Sequence, residues 1–309
     1  MFKKLATVGM SVLLAGSVLA GCSSDKKETS GKTSEGYAPK ELTVQFVPSQ
    51  NADTLEAKAK PLEKLLSKEL GINVKVSVST DYNTIIEAMK SKKVDVGFLP
   101  PTAYVLAKEN NAADVILQAQ RYGVNEKDGS PTDELVDSYK SMIIVKANSD
   151  IKELKDLKGK KMGFQNVTSS AGYVWPAVEM MKAGVDPMSD VETTTLKGHD
   201  QAVLAVLNGD VDAAAVFEDA RNIVKADYPK VFDDVRVLYR TEPIPNDTIS
   251  VRSDMTDKWK TKIQQAFINI AKSDEGHQIV KDIYSHEGYV KSKDSNFDIV
   301  REYGKKVSE

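Results

Sequence analysis

The chain has 309 residues, with 42 lysines and arginines against 45 aspartates and glutamates, and a single cysteine. A formal charge of −3 offers no basic footprint for a nucleic acid, and one cysteine excludes an intramolecular disulfide, a CxxC redox pair and a multi-thiolate zinc centre. Hydrophobic residues at 41% and charged residues at 28% are those of a globular protein, long enough for about two domains.

In chain order the first feature is a leader. Met1-Phe2-Lys3-Lys4 is a cationic start, Leu5–Leu19 is mostly apolar, and small residues lead into Cys22. This is the pattern of a cleaved signal peptide over 1–21. The apolar run is shorter than the roughly 20 residues a membrane span needs. Leu19-Ala20-Gly21-Cys22 resembles a bacterial lipobox, which implies cleavage before Cys22 and lipid on its sulfur. A plain secretory signal with an incidental cysteine is the alternative. Without Lys3 and Lys4, 40 basic side chains face 45 acidic ones, a net charge of −5. Residues 23–38 are polar and Gly/Ser-rich, so 22–40 is expected to be the lipidated cysteine and a flexible linker. The globular part is then expected on the outer face of the bacterial cell membrane.

From Leu42 the pattern alternates between strands and helices. Leu42–Val47 alternates and ends at Pro48, a strand. Leu55, Ala59, Leu62, Leu65, Leu66 and Leu70 form one apolar stripe of a helix closed by Gly71. Ile72–Val78 reads as a strand, Tyr82–Lys90 as a helix capped by Asp81, and Val94–Leu99 as a buried strand stopped by Pro100-Pro101. Tyr139–Lys146 is a strand able to carry the chain across to a second unit. There the grammar repeats: strand Lys161–Gln165, helix Ala171–Ala183, strand Val191–Leu196, helix His199–Leu207 and strand Val211–Phe217. Lys93-Val94-Asp95-Val96-Gly97 corresponds to Asp210-Val211-Asp212-Ala213-Ala214. Arg236–Arg240 and Thr248–Val251 flank a second crossing around Pro243–Asp247, and Trp259–Ala271 and Gly276–Ile283 read as helices packing back on the first unit. The expectation is an α/β protein of two similar α/β domains, 41–138 plus 246–309 and 139–245, with mainly parallel sheets, joined by two crossing strands with a ligand cleft between them.

No catalytic motif is present: no Walker A loop, GxGxxG, HExxH or GxSxG. No metal or cofactor is expected. His277 and His286 read as surface residues. Open α/β sheets bind ligands outside the carboxyl ends of their strands, which selects particular loops. Thr168-Ser169-Ser170 precede Ala171-Gly172-Tyr173 at a helix start, where unpaired N–H groups and small hydroxyls suit an oxyanion. His199 begins the next helix and can donate its Nε2–H to an anion, with the helix end favouring negative charge. Glu218 and Asp219 end the following strand, placed either to hold a cation or as ordinary helix-start acids. Asp247 follows Pro245-Asn246 in a turn. The matching loops of the first unit carry Ser49, Gln50, Asp81-Tyr82, Thr102 and Tyr104.

Taken in order, these pieces resemble the phosphate/phosphite/phosphonate-binding proteins of ABC importers, a branch of the type II periplasmic-binding-protein fold. The resemblance rests on Asp81-Tyr82, Val94–Phe98, Thr168–Tyr173, Gly198-His199-Asp200, Val211–Ala215 and Ile244–Asp247. It implies that Thr168, Ser169, Ser170 and His199 hold the phosphorus oxygens while Tyr82 and Tyr139 close over them. In aminophosphonate binders two acids take the amine, and these fall on Asp219 and Asp247. Ala171 is an extra residue before Gly172, and Asp219 beside Glu218 replaces a single expected glutamate. Asp247 is therefore open to accepting a hydrogen bond from a protonated ligand oxygen instead. The implied protein is a non-catalytic, monomeric receptor for a phosphonate, phosphite or phosphate that delivers it to a membrane permease. A receptor for a sulfonate or an organic phosphate ester, and an extracytoplasmic phosphoester hydrolase, are the alternatives.

Overall fold

The computed structural model describes residues 36–308; the leader, Cys22 and most of the expected linker lie outside them. The elements run β1 (Glu41–Phe46), α1 (Ala52–Ala59), α2 (Leu62–Leu70), β2 (Asn73–Val78), α3 (Tyr82–Lys90), β3 (Val96–Leu99), α4 (Pro101–Glu109), β4 (Ala113–Val124), β5 (Pro131–Val136), β6 (Ser138–Tyr139) and β7 (Ser141–Lys146). Then follow β8 (Lys161–Phe164), α5 (Trp175–Lys182), β9 (Glu192–Thr195), α6 (His199–Asn208), β10 (Ala213–Phe217), α7 (Arg221–Val224), α8 (Val231–Asp234) and β11 (Val235–Arg240). The chain closes with β12 (Ile244–Pro245), β13 (Thr248–Arg252), α9 (Asp257–Lys272), α10 (Asp274–Tyr284), β14 (Gly288–Lys291) and α11 (Asp298–Ser308). Among the described residues no helix is long and apolar enough to cross a membrane.

Two sheets organise these elements. One is seven-stranded, ordered β14-β4-β13-β3-β1-β2 with β5 on β4; the other is five-stranded, ordered β11-β7-β10-β8-β9. We call each sheet with its helices a lobe. The chain passes between lobes at β6 and β12, which pair as a two-residue antiparallel ribbon. The sheets are mixed, which corrects the expectation of mainly parallel ones. β1, β2 and β3 are parallel, as are β8, β9 and β10, because helices return the chain between them. β13 and β7 follow directly from the crossing ribbon, without a returning helix, and run antiparallel to their neighbours.

Two further expectations are corrected. The stripe Leu55–Leu70 is two helices, because Pro61 offers no N–H and restricts the residue before it. Leu62, Leu66 and Leu70 still share one buried face, and Gly71 closes α2 in the left-handed conformation at φ 67°. The linker, for its part, ends before residue 40. Tyr37 pairs with Met255, donates its N–H to Asp254 O at 2.7 Å, and lies beneath the Arg252 guanidinium at 3.7 Å from the ring centre. An aromatic ring found its cation in a segment otherwise too polar to pack.

Apolar side chains fill three clusters. Leu42, Phe46, Phe98 and Phe267 lie between the first sheet and α1, α2 and α9; Val203, Val206 and Val216 lie under α6 in the second lobe. The third cluster runs through both lobes, from Ile85 and Leu99 to Phe164 and Trp175. Helix α11 and the turn leading into it seal it: Phe297 of the turn packs edge-on against Tyr104 of α4, and Tyr303 of α11 stacks on Trp175, centroids 4.3 Å apart.

Candidate functional site

Between the lobes, at the carboxyl ends of the strands, lies a cavity of about 420 Å³ lined by Ser49, Gln50, Tyr82, Arg121, Tyr139, Ser169, His199, Glu218, Asp219, Asp247 and Tyr284, among others. Its second-lobe wall is built from two loops. After β8, Ser169 caps a wide turn over Ser170–Val174 that leads into α5, its Oγ accepting the Gly172 N–H at 3.1 Å. A turn closed by i→i+5 bonds holds one residue more than an α turn, which accommodates the additional Ala171. Gly172 has to be glycine, since a Cβ there would fall 2.0 Å from Gln165 Cγ.

Gln165 in turn fixes the second loop. Its amide donates to Gly198 O and accepts from Gly198 N, both at 3.0 Å. That clamps Gly198 at φ 95°, a conformation glycine favours, and sets the start of α6. His199 is 3% exposed. Its Nδ1 accepts the Phe217 N–H at 3.2 Å, so in the neutral ring the proton sits on Nε2. Burial, opposed by the charge of Asp247, pushes His199 down to about 3, and the ring is neutral near pH 7. The backbone end of α6, expected to face an anion, is instead engaged elsewhere: His199 N donates to Ser49 O at 2.9 Å, and Asp200 Oδ2 accepts the Asn51 N–H. The ring, not the helix end, is what this loop presents.

The expected hydroxyl run divides in the same way. Ser169 lines the cavity and contacts the Tyr82 hydroxyl. Thr168 bonds Asn166 through its Oγ1 at 2.8 Å, and Ser170 takes the Thr102 N–H at 2.9 Å across the lobes with Thr102 Oγ1 also at 2.9 Å. Thr168, Ser170 and Thr102 are absent from the lining; their polar atoms are already satisfied by the fold. Tyr104 also points elsewhere, donating to Asp294 at 2.6 Å. Ser49 and Gln50 do line the cavity, while the Gln50 amide donates to Ile283 O.

The first-lobe wall carries charge. Asp247 follows β12, with Arg121 Nη2 at 3.4 Å and His286 Nε2 at 3.6 Å from its Oδ2. The Arg121 guanidinium lies over the Tyr139 ring at 4.8 Å. Burial, reinforced by the Asp247 charge, holds the Tyr82, Tyr139 and Tyr284 phenols above their usual range, so they stay protonated. At the far end, in the second lobe, Asp219 Oδ1 is 3.6 Å from Arg221 Nη2, and Glu218 accepts the Lys140 N–H. Burial raises both acids, with Arg221 opposing it at Asp219.

Sequence reasoning missed Arg121, Tyr284 and His286. Arg121 is the one basic residue in the twelve of β4, a signal in principle. His286, expected at the surface, is 1% exposed; its Nδ1 faces Tyr289 Oη at 3.2 Å. It follows Ser285, which ends α10 in the left-handed conformation at φ 57°.

Residues 44–297 match the family described as the periplasmic substrate-binding protein of phosphonate ABC transporters. The phosphate-import protein PhnD of Mycolicibacterium smegmatis is 30% identical over 277 residues, 85% of this chain and 81% of its own. The phosphonates-binding periplasmic protein of Escherichia coli is 26% identical, covering 78% and 70%. Among solved structures, PhnD1 of Prochlorococcus marinus in complex with methylphosphonate has a TM-score of 0.73 at 22% identity, covering 88% and 99%, a likeness of fold. Such relatives are transport proteins rather than enzymes, and work outside the cytoplasm. With its type II two-lobed fold and the family match over most of its length, this chain belongs to the phosphonate-type substrate-binding proteins of ABC transporters.

Proposed function

We propose that the protein captures a small phosphorus oxyanion (phosphite, phosphate or a phosphonate) in the cavity between its lobes and delivers it to a membrane permease. The observation that carries this reading is His199. Its Nδ1 is fixed by the Phe217 N–H, so a neutral Nε2–H donor stands beside the Ser169 hydroxyl and the Tyr82 and Tyr139 phenols. Neutral donors held in a dry wall solvate an anion without carrying a counter-charge of their own. Asp247 accepts a hydrogen bond from a protonated ligand oxygen, and Glu218 and Asp219 close the far end. A micromolar dissociation constant corresponds to about −8 kcal/mol, within reach of several charge-assisted hydrogen bonds at about 1.5–3 kcal/mol each.

The β6–β12 ribbon serves as the hinge between domains 41–138 plus 246–309 and 139–245, and the receptor acts as a monomer. Cleavage before Cys22 and lipid on its sulfur tether it to the outer face of the membrane. Titration calorimetry with phosphate, phosphite and methylphosphonate tests the ligand class: saturable heat with at least one is expected, and flat titrations with all three overturn it. For the anchor, Cys22→Ser is expected to appear in the medium or to stay unprocessed. A processed, membrane-retained form refutes lipidation.

A further inference from the structure

The two most enclosed aspartates of the cavity each stand beside an arginine. Asp247 stands with the Arg121 guanidinium at 3.4 Å, their side chains 19% and 12% exposed. Asp219 stands with the Arg221 guanidinium at 3.6 Å, their side chains 7% and 5% exposed. Both arginines are held where they are by contacts that do not involve a ligand. Arg221 donates to Val235 O at 3.0 Å and lies over the Phe232 ring at 4.3 Å; Arg121 lies over Tyr139. The hairpin turn after β4 presses on Asp219 so closely that a Cβ at Gly129 would fall 2.5 Å from its Oδ1. Glu218 takes the Lys140 N–H and lies near the Lys140 and Arg240 charges; Glu287 pairs with Lys281 at 2.9 Å, and Asp282, exposed, accepts from the Gln278 amide.

From this pairing we infer that the cavity carries its own cations in place of a ligand ammonium, so that it selects phosphorus oxyanions without an amine and rejects aminoalkylphosphonates. The inference rests on the phosphorus-oxyanion reading above and adds the substrate class within it. An ammonium entering here loses its hydration and meets carboxylates whose charge is already balanced by guanidinium groups at short range. Specificity against it is built by repulsion as much as by the missing partner. The second oxygen of Asp219, buried without a partner, suits a neutral O–H or N–H donor. Arg121 and Arg221 are accordingly specificity-determining residues, and Arg121 is the one that faces the cavity.

The test uses two ligands of equal size, propylphosphonate and 2-aminoethylphosphonate, which differ by a methyl against an ammonium, together with phosphite. Calorimetry on the native protein is expected to show propylphosphonate binding at least tenfold more tightly than 2-aminoethylphosphonate. Arg121→Gln frees Asp247 and is expected to shift that ratio by tenfold or more toward the amine. Equal or tighter binding of 2-aminoethylphosphonate by the native protein overturns the inference, and so does an unchanged ratio in a folded Arg121→Gln protein. Flat titrations with all three compounds and with phosphate and methylphosphonate instead overturn the phosphorus reading on which it rests. The native ratio decides the matter even if Arg121→Gln does not fold.

Discussion

The two lobes begin with the same device and end differently. Each has a Val-Asp pair entering a strand beside a parallel neighbour. Asp95 Oδ2 accepts the Thr43 N–H at 2.8 Å and returns its own N–H to Thr43 O. Asp212 Oδ2 accepts the Lys161 N–H at 2.8 Å and returns its N–H to Lys161 O. At that end of the strands the lobes are repeats, apart from the Arg252 guanidinium that Asp95 adds at 3.3 Å in a buried setting. At the other end, where the cavity opens, the likeness is lost. The second lobe offers a hydroxyl, a neutral imidazole and, at its far end, Glu218 with the Asp219–Arg221 pair; the first offers the Asp247–Arg121 pair among tyrosines. The shared device fixes strand register, which both sheets need. On the proposed function, the hydrogen-bond donors His199 and Ser169 come from the second lobe, while each lobe contributes one arginine–aspartate pair.

The largest expected effect compares the paired aspartates. Asp95→Asn removes the carboxylate from Arg252 and from two Thr43 donors and is expected to destabilise by about 2 kcal/mol. Asp212→Asn, at an exposed strand start, is expected to cost below about 1 kcal/mol. Urea unfolding of both measures the gap, and equal losses would mean that Arg252 adds nothing to the first lobe.

The next effect belongs to the donor wall. His199 is pushed to about 3 in the folded protein, below the roughly 6.5 of an unfolded chain. The unfolded state therefore binds the extra proton first, and stability is fully present above about pH 6.5 and falls as pH drops toward 3. The loss from this one group reaches about 2 kcal/mol near pH 5. His199→Gln is expected to flatten that part of the melting-temperature profile; an unchanged slope would show that the ring is not what titrates.

Smallest, and most direct for binding, is Ser169→Ala. Losing one hydroxyl donor to an anion is expected to weaken phosphite about tenfold, and losing the cap on the Gly172 N–H to lower stability by about 1 kcal/mol. Thr168→Ala, whose hydroxyl is spent on Asn166, is expected to leave affinity within about twofold, as for a neutral bond away from the ligand. Similar losses for both would erase the distinction between the cavity-facing and fold-facing members of the run.

How legible this was depended on what made each feature. Local patterns carried the strands flanking both crossings, the Asp81 cap and the glycine stop after α2, because caps and periodicity act over a few residues. The Val-Asp repeat was readable for the same reason. The division of Thr168, Ser169 and Ser170 was not, since Ser170 is claimed by Thr102, 68 residues away in sequence. Arg121 and His286 enter the site through pairing of β4 with β13 and a turn after α10, long-range events with no local mark. The bridge of both lobes by Phe297 and helix α11 was likewise out of reach, because the partners Tyr104 and Trp175 belong to different lobes.

Among the described residues, three backbone amides cross the gap between the lobes: Asn51 N–H to Asp200, Thr102 N–H to Ser170 and His199 N–H to Ser49. Their protection from solvent deuterium depends on the lobes staying together, whereas amides inside each sheet depend on the lobe staying folded. Native-state exchange at these three positions therefore reads the free energy of opening separately from that of unfolding. A ligand that clamps the lobes should slow all three together and leave the sheet interiors at their own pace. The molecule thus carries, in three hydrogen bonds, an internal gauge of how often its cleft opens.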